Sequence, residues 1–500
     1  MVDTTHPTSA PARSALRGSI GVAGIVFLVI AAAAPLTAVA GSLPVMIAIG
    51  NGAGAPMAYL IAAAVLLVFS VGYAAMSSSV TDTGAFYAYV TKGLGRSAGV
   101  GSAALALLAY TTIQAAIYGL AASTMRDVVI RFGGPDAPWW LWAFVLMAMV
   151  AVLGYRSIDL GAKVLGVLLV AEIALIVALT VAVLAQGGAH GVDVVSFTPS
   201  AFLSGSPGIA LMFAIGSFVG FEATAIYGEE ARNPRRTVPI ATYVAVGTIG
   251  VLYAAASWAV VLAFGSDQVQ AAAQSDPANL TFIATTTFLG SVAADVMMVM
   301  LVTSLFAALL AFHNAIARYT FALSRTGYAP RRLMDVHNRH GSPHIGSVVQ
   351  TATAFILVGA FAVAGADPVL QLFTWMAGVA IVSILVLMVL TSLAIIVWFR
   401  REGTDTRMWH TRIAPILGTV GLLGITALVV ANFTTLISGS RVLATVFLVI
   451  IAAVFLAGAC LGRWCRPAPR DDQATSPSRS ADPVTPVSPV TPISPESELP

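Results

Sequence analysis

Glu222 is the residue of this 500-residue chain whose position most clearly indicates chemistry. It directly follows Gly220 and Phe221 inside an otherwise apolar stretch. An ionised side chain in the middle of a membrane helix costs about 2.5–3.5 kcal/mol on insertion scales, so its presence needs a physical reason. Glu222 either contacts a cationic part of a bound solute or exchanges a proton as the protein cycles. The alternative is a neutral acid that is hydrogen-bonded for packing alone.

Glu172 is a second acid within an apolar run, at 161–184. It either carries a proton or a sodium ion or pairs with a neighbouring helix. Asp295, near the start of a later run, either has a comparable role or simply faces water. His313 and Asn314, further along that run, are interpreted as structural.

Two of the apolar runs contain residues that interrupt a helix. In the first run Pro35 removes a backbone donor and obstructs the preceding turn. In the sixth run Gly216 and Gly220 precede Glu222. Interrupted backbone within a bilayer is tolerated only where it lines a cavity or is covered by protein, although each break alone could be a simple kink. The breaks lie five helices apart, in the first and sixth runs, so a duplicated five-helix unit would return inverted, and matching breaks in inverted halves indicate a transporter site.

The composition indicates that the apolar runs that contain these acids and breaks are surrounded by lipid. Hydrophobic residues make up 58% of the chain and charged residues 9%, against about 45–50% and about 25% in ordinary globular proteins. So little charge cannot cover the surface of a soluble protein of this size. The composition therefore argues against a soluble enzyme, a nucleic-acid-binding protein, a disordered regulator and, with only Cys460 and Cys465, a disulfide-built secreted module.

Twelve apolar runs are long enough to be spanning helices, which need about 20 residues each. The predicted spans are 19–49, 56–76, 97–123, 138–153, 161–184, 208–227, 240–264, 290–322, 345–364, 373–398, 413–437 and 442–461. The predicted fold is therefore an all-α polytopic membrane protein with twelve transmembrane helices.

The basic residues predict the orientation of these spans. With the amino terminus in the cytoplasm and alternating loops, every Lys and Arg except Arg126, Arg131 and Arg441 falls on the cytoplasmic side. An excess of positive charge is typical of cytoplasmic loops. We therefore expect a multi-pass protein of the plasma membrane with both termini in the cytoplasm. Residues 1–18 form a short amino-terminal segment, and the Pro- and Ser-rich residues 466–500 are predicted to be disordered.

Residues 220–239 contain Gly-Phe-Glu, Gly-Glu-Glu and Asn-Pro-Arg-Arg-Thr-Val-Pro. From Glu222 to Pro239 the chain resembles the sixth helix and following loop of the amino acid–polyamine–organocation permease family. Residues 82–89 resemble its first cytoplasmic loop, and residues 318–343 resemble its connector between the eighth and ninth helices. The resemblance covers about residues 19–465.

The resemblance implies two inverted five-helix repeats of the LeuT-like kind, at about 19–186 and 206–400, followed by two further helices at about 411–465. It places the substrate between the broken first and sixth helices, where half-helix amino termini present free amides to a carboxylate. The implied substrate-binding residues are Ala33, Ala34, Pro35, Leu36, Thr37, Ser217, Phe218, Val219, Gly220, Phe221 and Glu222. Glu222 resembles a glutamate linked to gating and proton response. Some relatives have a lysine near the level of Glu172, so the family role does not transfer to this acid.

The predicted function is a secondary transporter that moves an amino acid by alternating access, coupled to protons or working as an exchanger, with Glu222 and Glu172 as ion-coupling residues. Many relatives have a motif of small residues with glycine where this chain has Ala-Ala-Pro-Leu-Thr. Because a substrate carboxylate approaches the backbone more easily at glycine, a polyamine or another organic amine is the alternative substrate. A non-transporting membrane sensor of amino acids is the alternative from another class. The expected partners are the small solute, a proton or exchanged solute and the bilayer, without nucleic acid or a cofactor; the oligomeric state is left open.

Two connectors carry further charged residues. Residues 228–239 either form ion pairs that close an inner gate or are an ordinary positively charged loop. His337, His340 and His344 are interpreted as a solvated loop rather than a metal site, because no cysteine or acidic cluster completes one.

Overall fold

A computed structural model of the chain describes residues 20–77, 79–80, 85–156, 162–222, 224, 231–325, 327–335, 344–402, 405 and 407–464. The helices begin with α1 Val22–Ala32, α2 Leu43–Ile49, α3 Ala55–Ser77, α4 Ala85–Leu94, α5 Arg96–Arg131, α6 Trp139–Tyr155, α7 Ala162–Gln186, α8 Pro199–Leu203 and α9 Pro207–Gly216. They continue with α10 Pro234–Phe264, α11 Val269–Ser275, α12 Leu280–Leu289, α13 Ser291–Arg325, α14 His344–Val363, α15 Thr374–Glu402, α16 Ala414–Leu436 and α17 Arg441–Trp464. The predicted segments 1–18 and 466–500 lie outside the described residues.

Ten helical segments of the described chain are long and apolar enough to cross a membrane. They are Val22–Ile49, Gly52–Ser77, Arg96–Arg131, Gly166–Gln186, Arg236–Phe264, Ser291–Arg325, His344–Val363, Pro368–Glu402, Trp409–Ala431 and Arg441–Trp464. These segments confirm the all-α multi-pass architecture. The predicted spans 138–153 and 208–227 correspond to the shorter helices α6 and α9, so the count of twelve spans and the inverted repeat stay predictions.

The first span is interrupted at its middle, as Pro35 predicts. Helix α1 ends at Ala32, and Ala34 has a φ of +45°, a left-handed conformation that costs a residue with a side chain about 1–2 kcal/mol. The chain then continues through the π-helical turn Thr37–Ser42 into α2. The break therefore lies over residues 33–36.

The sixth predicted span is interrupted after α9. The helix ends at Gly216, and the following turn passes through Gly220, whose φ of +111° is readily adopted only by glycine. Glu222 closes this turn. The predicted continuation to residue 227 lies, apart from Thr224, outside the described residues.

The last span packs on the third through small residues. A Cβ atom at Gly458 would lie 2.8 Å from Ala104 Cβ, and one at Gly462 would lie 3.1 Å from Ser97 Cα. The Ser97 hydroxyl also donates to the Ala459 carbonyl at 2.7 Å. Small residues spaced by four allow membrane helices to approach this closely. Helix α17 is therefore fixed against α5, away from the two interrupted spans.

Candidate substrate and coupling site

The two interrupted spans contact each other directly at their breaks. A Cβ atom at Gly220 would lie 2.9 Å from Ala32 Cβ and 3.2 Å from the Ala32 carbonyl carbon, so only glycine permits this approach. Ala32 is nevertheless exposed, and Val219 and Gly220 are half-exposed. The meeting point of the two breaks therefore borders an accessible space.

Glu222 is folded back onto the turn that precedes it. Its Oε2 accepts a hydrogen bond from the Gly220 amide at 2.9 Å, and its side chain is buried. The Tyr73 hydroxyl donates to the Glu222 backbone carbonyl at 3.0 Å. Glu222 therefore holds the backbone of the second break in its observed shape.

Aromatic packing supports the same turn. The ring of Phe221 lies 6.1 Å from that of Phe69, 6.4 Å from Tyr73 and 6.5 Å from Phe86, measured between centroids. Phe218 packs in the same way against Tyr253, at 6.1 Å. Both phenylalanines of the predicted substrate set are thus buried in the protein and position the backbone around them.

Glu172 joins the first break to two other helices. Its side chain, buried on α7, lies close to the Leu36 backbone amide and to the Ser304 hydroxyl of α13. The Thr37 hydroxyl lies 3.5 Å from that of Ser304. The start of a helical segment favours an anion because its amides are free and its dipole is positive there. Glu172 therefore has an anion-stabilising position beside the first break.

Two tyrosines that sequence reasoning missed connect the breaks to their neighbours. The Tyr253 hydroxyl of α10 donates to the Ala33 carbonyl at 3.1 Å. The Tyr59 hydroxyl of α3 lies 3.4 Å from the Ser217 hydroxyl. The two rings meet edge to face, with centroids 5.5 Å apart. The first and second breaks are therefore tied to one another through α3 and α10.

One face of α13 becomes more exposed with distance from Ser304. Ser304, Ala308, Ala311 and Ala315 follow a spacing of four, three and four residues, which places them on one side of the helix. Ser304 is buried, Ala308 is half-buried, and Ala311 and Ala315 are exposed. Exposure therefore increases along this face from the Glu172 contact toward the carboxyl end of α13.

The remaining candidate residues lie away from the breaks. Asp295 forms an ion pair with Arg131, with Nε and Oδ1 2.8 Å apart on the protein surface, and the buried His313 ring lies 2.7 Å from the Ser347 hydroxyl. Of the connector 228–239, Glu229 and Glu230 lie outside the described residues, whereas the Arg232 amide donates to the Ile20 carbonyl at 3.1 Å.

The metal interpretation of the histidines is tested only in part. His337 and His340 lie outside the described residues. Among the residues described, no three His, Cys, Asp or Glu side chains are grouped so that they could hold a metal ion.

Comparison with known proteins adds a family match. A family model described as "Amino acid permease" matches residues 19–459. An uncharacterized transporter of Mycobacterium tuberculosis is 24% identical over 412 residues, which cover 76% of this chain and 79% of the relative. A probable amino-acid permease of Schizosaccharomyces pombe is 26% identical over 313 residues, 58% of this chain and 52% of the relative. An uncharacterized transporter of Mycobacterium bovis is 28% identical over 155 residues, 30% of this chain and 33% of the relative.

Proposed function

The chain belongs to the amino acid permease family, and from this premise we propose that it moves an amino acid across the plasma membrane. The proposed mechanism is proton-coupled alternating access, and both termini lie in the cytoplasm in this proposal. The family and its transporter relatives indicate a membrane transporter rather than an enzyme. The observation that carries the finer proposal is the contact of two interrupted spans beside the buried carboxylate of Glu172.

Alternating access needs a group of helices that moves as a unit against the rest. The hydrogen bond from Tyr253 to Ala33 and the Tyr59–Ser217 contact tie the two broken spans to α3 and α10. Glu172 and Ser304 belong instead to α7 and α13. In this proposal the Glu172–Leu36 contact joins the first broken span to α7, and a coupling ion that binds there changes how the broken spans pack on α7 and α13.

A proton on Glu172 would change this contact directly. The ionised carboxylate is attracted to the Leu36 amide, and protonation removes most of that attraction because the neutral acid accepts a weaker hydrogen bond. Protonation also frees the Leu36 amide for the carboxylate of an amino acid. Proton uptake and substrate binding are thereby linked at one backbone group. In this proposal Glu172 carries the proton and Glu222 maintains the second break.

A second candidate substrate follows from the same contact. While Glu172 is ionised, its carboxylate occupies the Leu36 amide and adds negative charge beside the first break. That arrangement disfavours a substrate carboxylate and favours a cation. An organic amine or polyamine, which lacks the carboxylate, is therefore the second candidate.

Uptake into proteoliposomes tests the function. We expect accumulation of a labelled amino acid when the outside is acidified, by about tenfold for one pH unit at one proton per solute. A panel of unlabelled amino acids and polyamines then identifies the substrate by competition. Competition by polyamines alone would select the second candidate. An absolute sodium requirement would contradict proton coupling, and binding without any uptake would indicate the sensor.

Glu222→Gln tests the assignment of the second break. The glutamine oxygen can still accept from Gly220, but a neutral acceptor is weaker by about 1–1.5 kcal/mol, so we expect uptake to fall about tenfold while accumulation still follows the pH gradient. Initial rates with and without the gradient measure both effects. Glu402→Gln, at the exposed end of α15, is the matched control and should retain wild-type uptake. Loss of the gradient response in Glu222→Gln would indicate that Glu222, rather than Glu172, carries the proton.

A further inference from the structure

A groove runs between α6 and α14, on a flank of the molecule that does not include the two breaks. Its larger part is a cavity of about 870 Å³ that reaches Tyr155 and Arg156 at the end of α6. A second cavity of about 440 Å³ continues it toward Trp140 and shares the lining residues Phe355 and Ile356. The groove therefore follows most of the length of α6.

The wall of the larger cavity is apolar and exposed. Val152 is 53% exposed, Phe355 55% and Ile356 71%. In a membrane protein such a surface is covered by hydrocarbon. From Ser347 to Ile356 the wall rises about 14 Å along α14, which is close to half of the roughly 30 Å hydrocarbon core of a bilayer. The cavity therefore has the depth of one acyl chain from a single leaflet.

The polar end of the cavity carries an available positive charge. Arg156 is exposed, and its side chain makes no ion pair or hydrogen bond within the part of the chain that the structure describes. Neither α6 nor α14 contains an acidic residue. The ring of His344 lies 5.9 Å from that of Tyr155 beside it. An arginine guanidinium binds a phosphate through two parallel hydrogen bonds.

We propose that this groove is a binding site for an anionic phospholipid, with its phosphate on Arg156 and one acyl chain against Val152, Phe355 and Ile356. Arg156 lies on the face that the basic residues assign to the cytoplasm, where the leaflet carries anionic lipid. The acyl chain covers the exposed wall, and the headgroup neutralises a cation that has no side-chain partner among the described residues.

The floor of the groove connects this site to α13. A Cβ atom at Gly154 would lie 2.3 Å from His313 Cδ2, so α6 and α13 are in close contact there. The His313 ring in turn lies 2.7 Å from the Ser347 hydroxyl of α14. A lipid in the groove therefore holds α6 and α14 against the helix that also carries Ser304.

Lipid retention by the purified full-length protein tests the proposal. Native mass spectrometry would measure binding of dioleoylphosphatidylglycerol and of dioleoylphosphatidylcholine to wild type, Arg156→Gln and Ala352→Trp. We expect phosphatidylglycerol to bind wild type more tightly than phosphatidylcholine, and Arg156→Gln to weaken phosphatidylglycerol about fivefold, the effect of one arginine near an anionic membrane. Ala352→Trp, which fills the cavity, should weaken both lipids.

Arg463→Gln is the matched control, because Arg463 is also exposed near a helix end but lies on α17. It should bind phosphatidylglycerol as wild type does. Equal retention of the two lipids by wild type, or unchanged phosphatidylglycerol binding in both Arg156→Gln and Ala352→Trp, would overturn the proposal. Dissociation of a dimer by Ala352→Trp would also overturn it, since a second copy of the chain would then occupy the groove.

Discussion

Replacing Gly220 by alanine is expected to abolish measurable uptake. The position has a φ of +111°, which a residue with a Cβ atom adopts only with strain, and that Cβ would lie 2.9 Å from Ala32 Cβ. Backbone strain and overpacking each cost about 1–3 kcal/mol. The two broken spans would therefore separate or tilt, and a combined cost of at least about 2 kcal/mol would make the arrangement that binds substrate about thirtyfold less populated or lower still, since 1.4 kcal/mol corresponds to a factor of ten.

The measurement is uptake into proteoliposomes alongside the amount of folded protein by size-exclusion chromatography. Gly247→Ala is the matched control, because Gly247 lies within α10 with nothing inside 4 Å of a Cβ atom, and it should transport normally. Adding Ala32→Gly to Gly220→Ala removes the nearest colliding atom and should restore part of the uptake if the variant is folded. Normal uptake by Gly220→Ala would show that the close contact of the breaks is not required.

The interruptions could be predicted from the sequence because they depend on backbone chemistry. Pro35 lacks an amide hydrogen and Gly220 lacks a side chain, and both properties act wherever the surrounding helices lie. The apolar runs predicted the helices for a similar reason, since a bilayer requires each crossing to satisfy its own hydrogen bonds. The short α6 and the interrupted sixth span made the count of spans harder to establish than the positions of the breaks.

The partners of the breaks could not be predicted, because they depend on how distant helices pack. Ser304 is one of many hydroxyl residues in apolar helices, and most such hydroxyls, like Thr112 and Ser383, donate to their own helix. Tyr253 and Tyr59 have the same sequence character as any aromatic core residue. Only the folded arrangement shows that Ser304, Tyr253 and Tyr59 contact the breaks or the residues beside them.

The structure also distinguishes two acids that the sequence analysis both assigned to ion coupling. Glu222 interacts with the amide of Gly220, within its own turn. Glu172 lies close to Leu36 and Ser304, which are far from it in sequence and belong to the first break and to α13. An acid bound within its own turn stabilises a local shape, whereas an acid that bridges helices can respond to their movement. This difference favours Glu172 as the site of coupling.

Replacing Glu172 by glutamine is expected to eliminate proton-driven accumulation while leaving the carrier able to exchange substrate. The amide oxygen of glutamine can still accept from Leu36, so the contact that positions the first break is largely kept. The amide cannot take up and release a proton, so a pH gradient no longer supplies about 1.4 kcal/mol per unit to transport. Wild type should accumulate substrate about tenfold for one pH unit, and Glu172→Gln should not accumulate it.

Two assays on the same vesicles separate coupling from folding and binding. Counterflow, in which labelled substrate exchanges with an unlabelled internal pool without a pH gradient, should proceed in Glu172→Gln because it needs no net proton movement. Gradient-driven uptake should be absent. Ser304→Ala, which removes one partner of the carboxylate but leaves the titratable group, is the matched control and should retain a response to the gradient at a lower rate. If Glu172→Gln accumulates substrate as wild type does, the proton moves through another residue, and the Leu36 contact is then only structural.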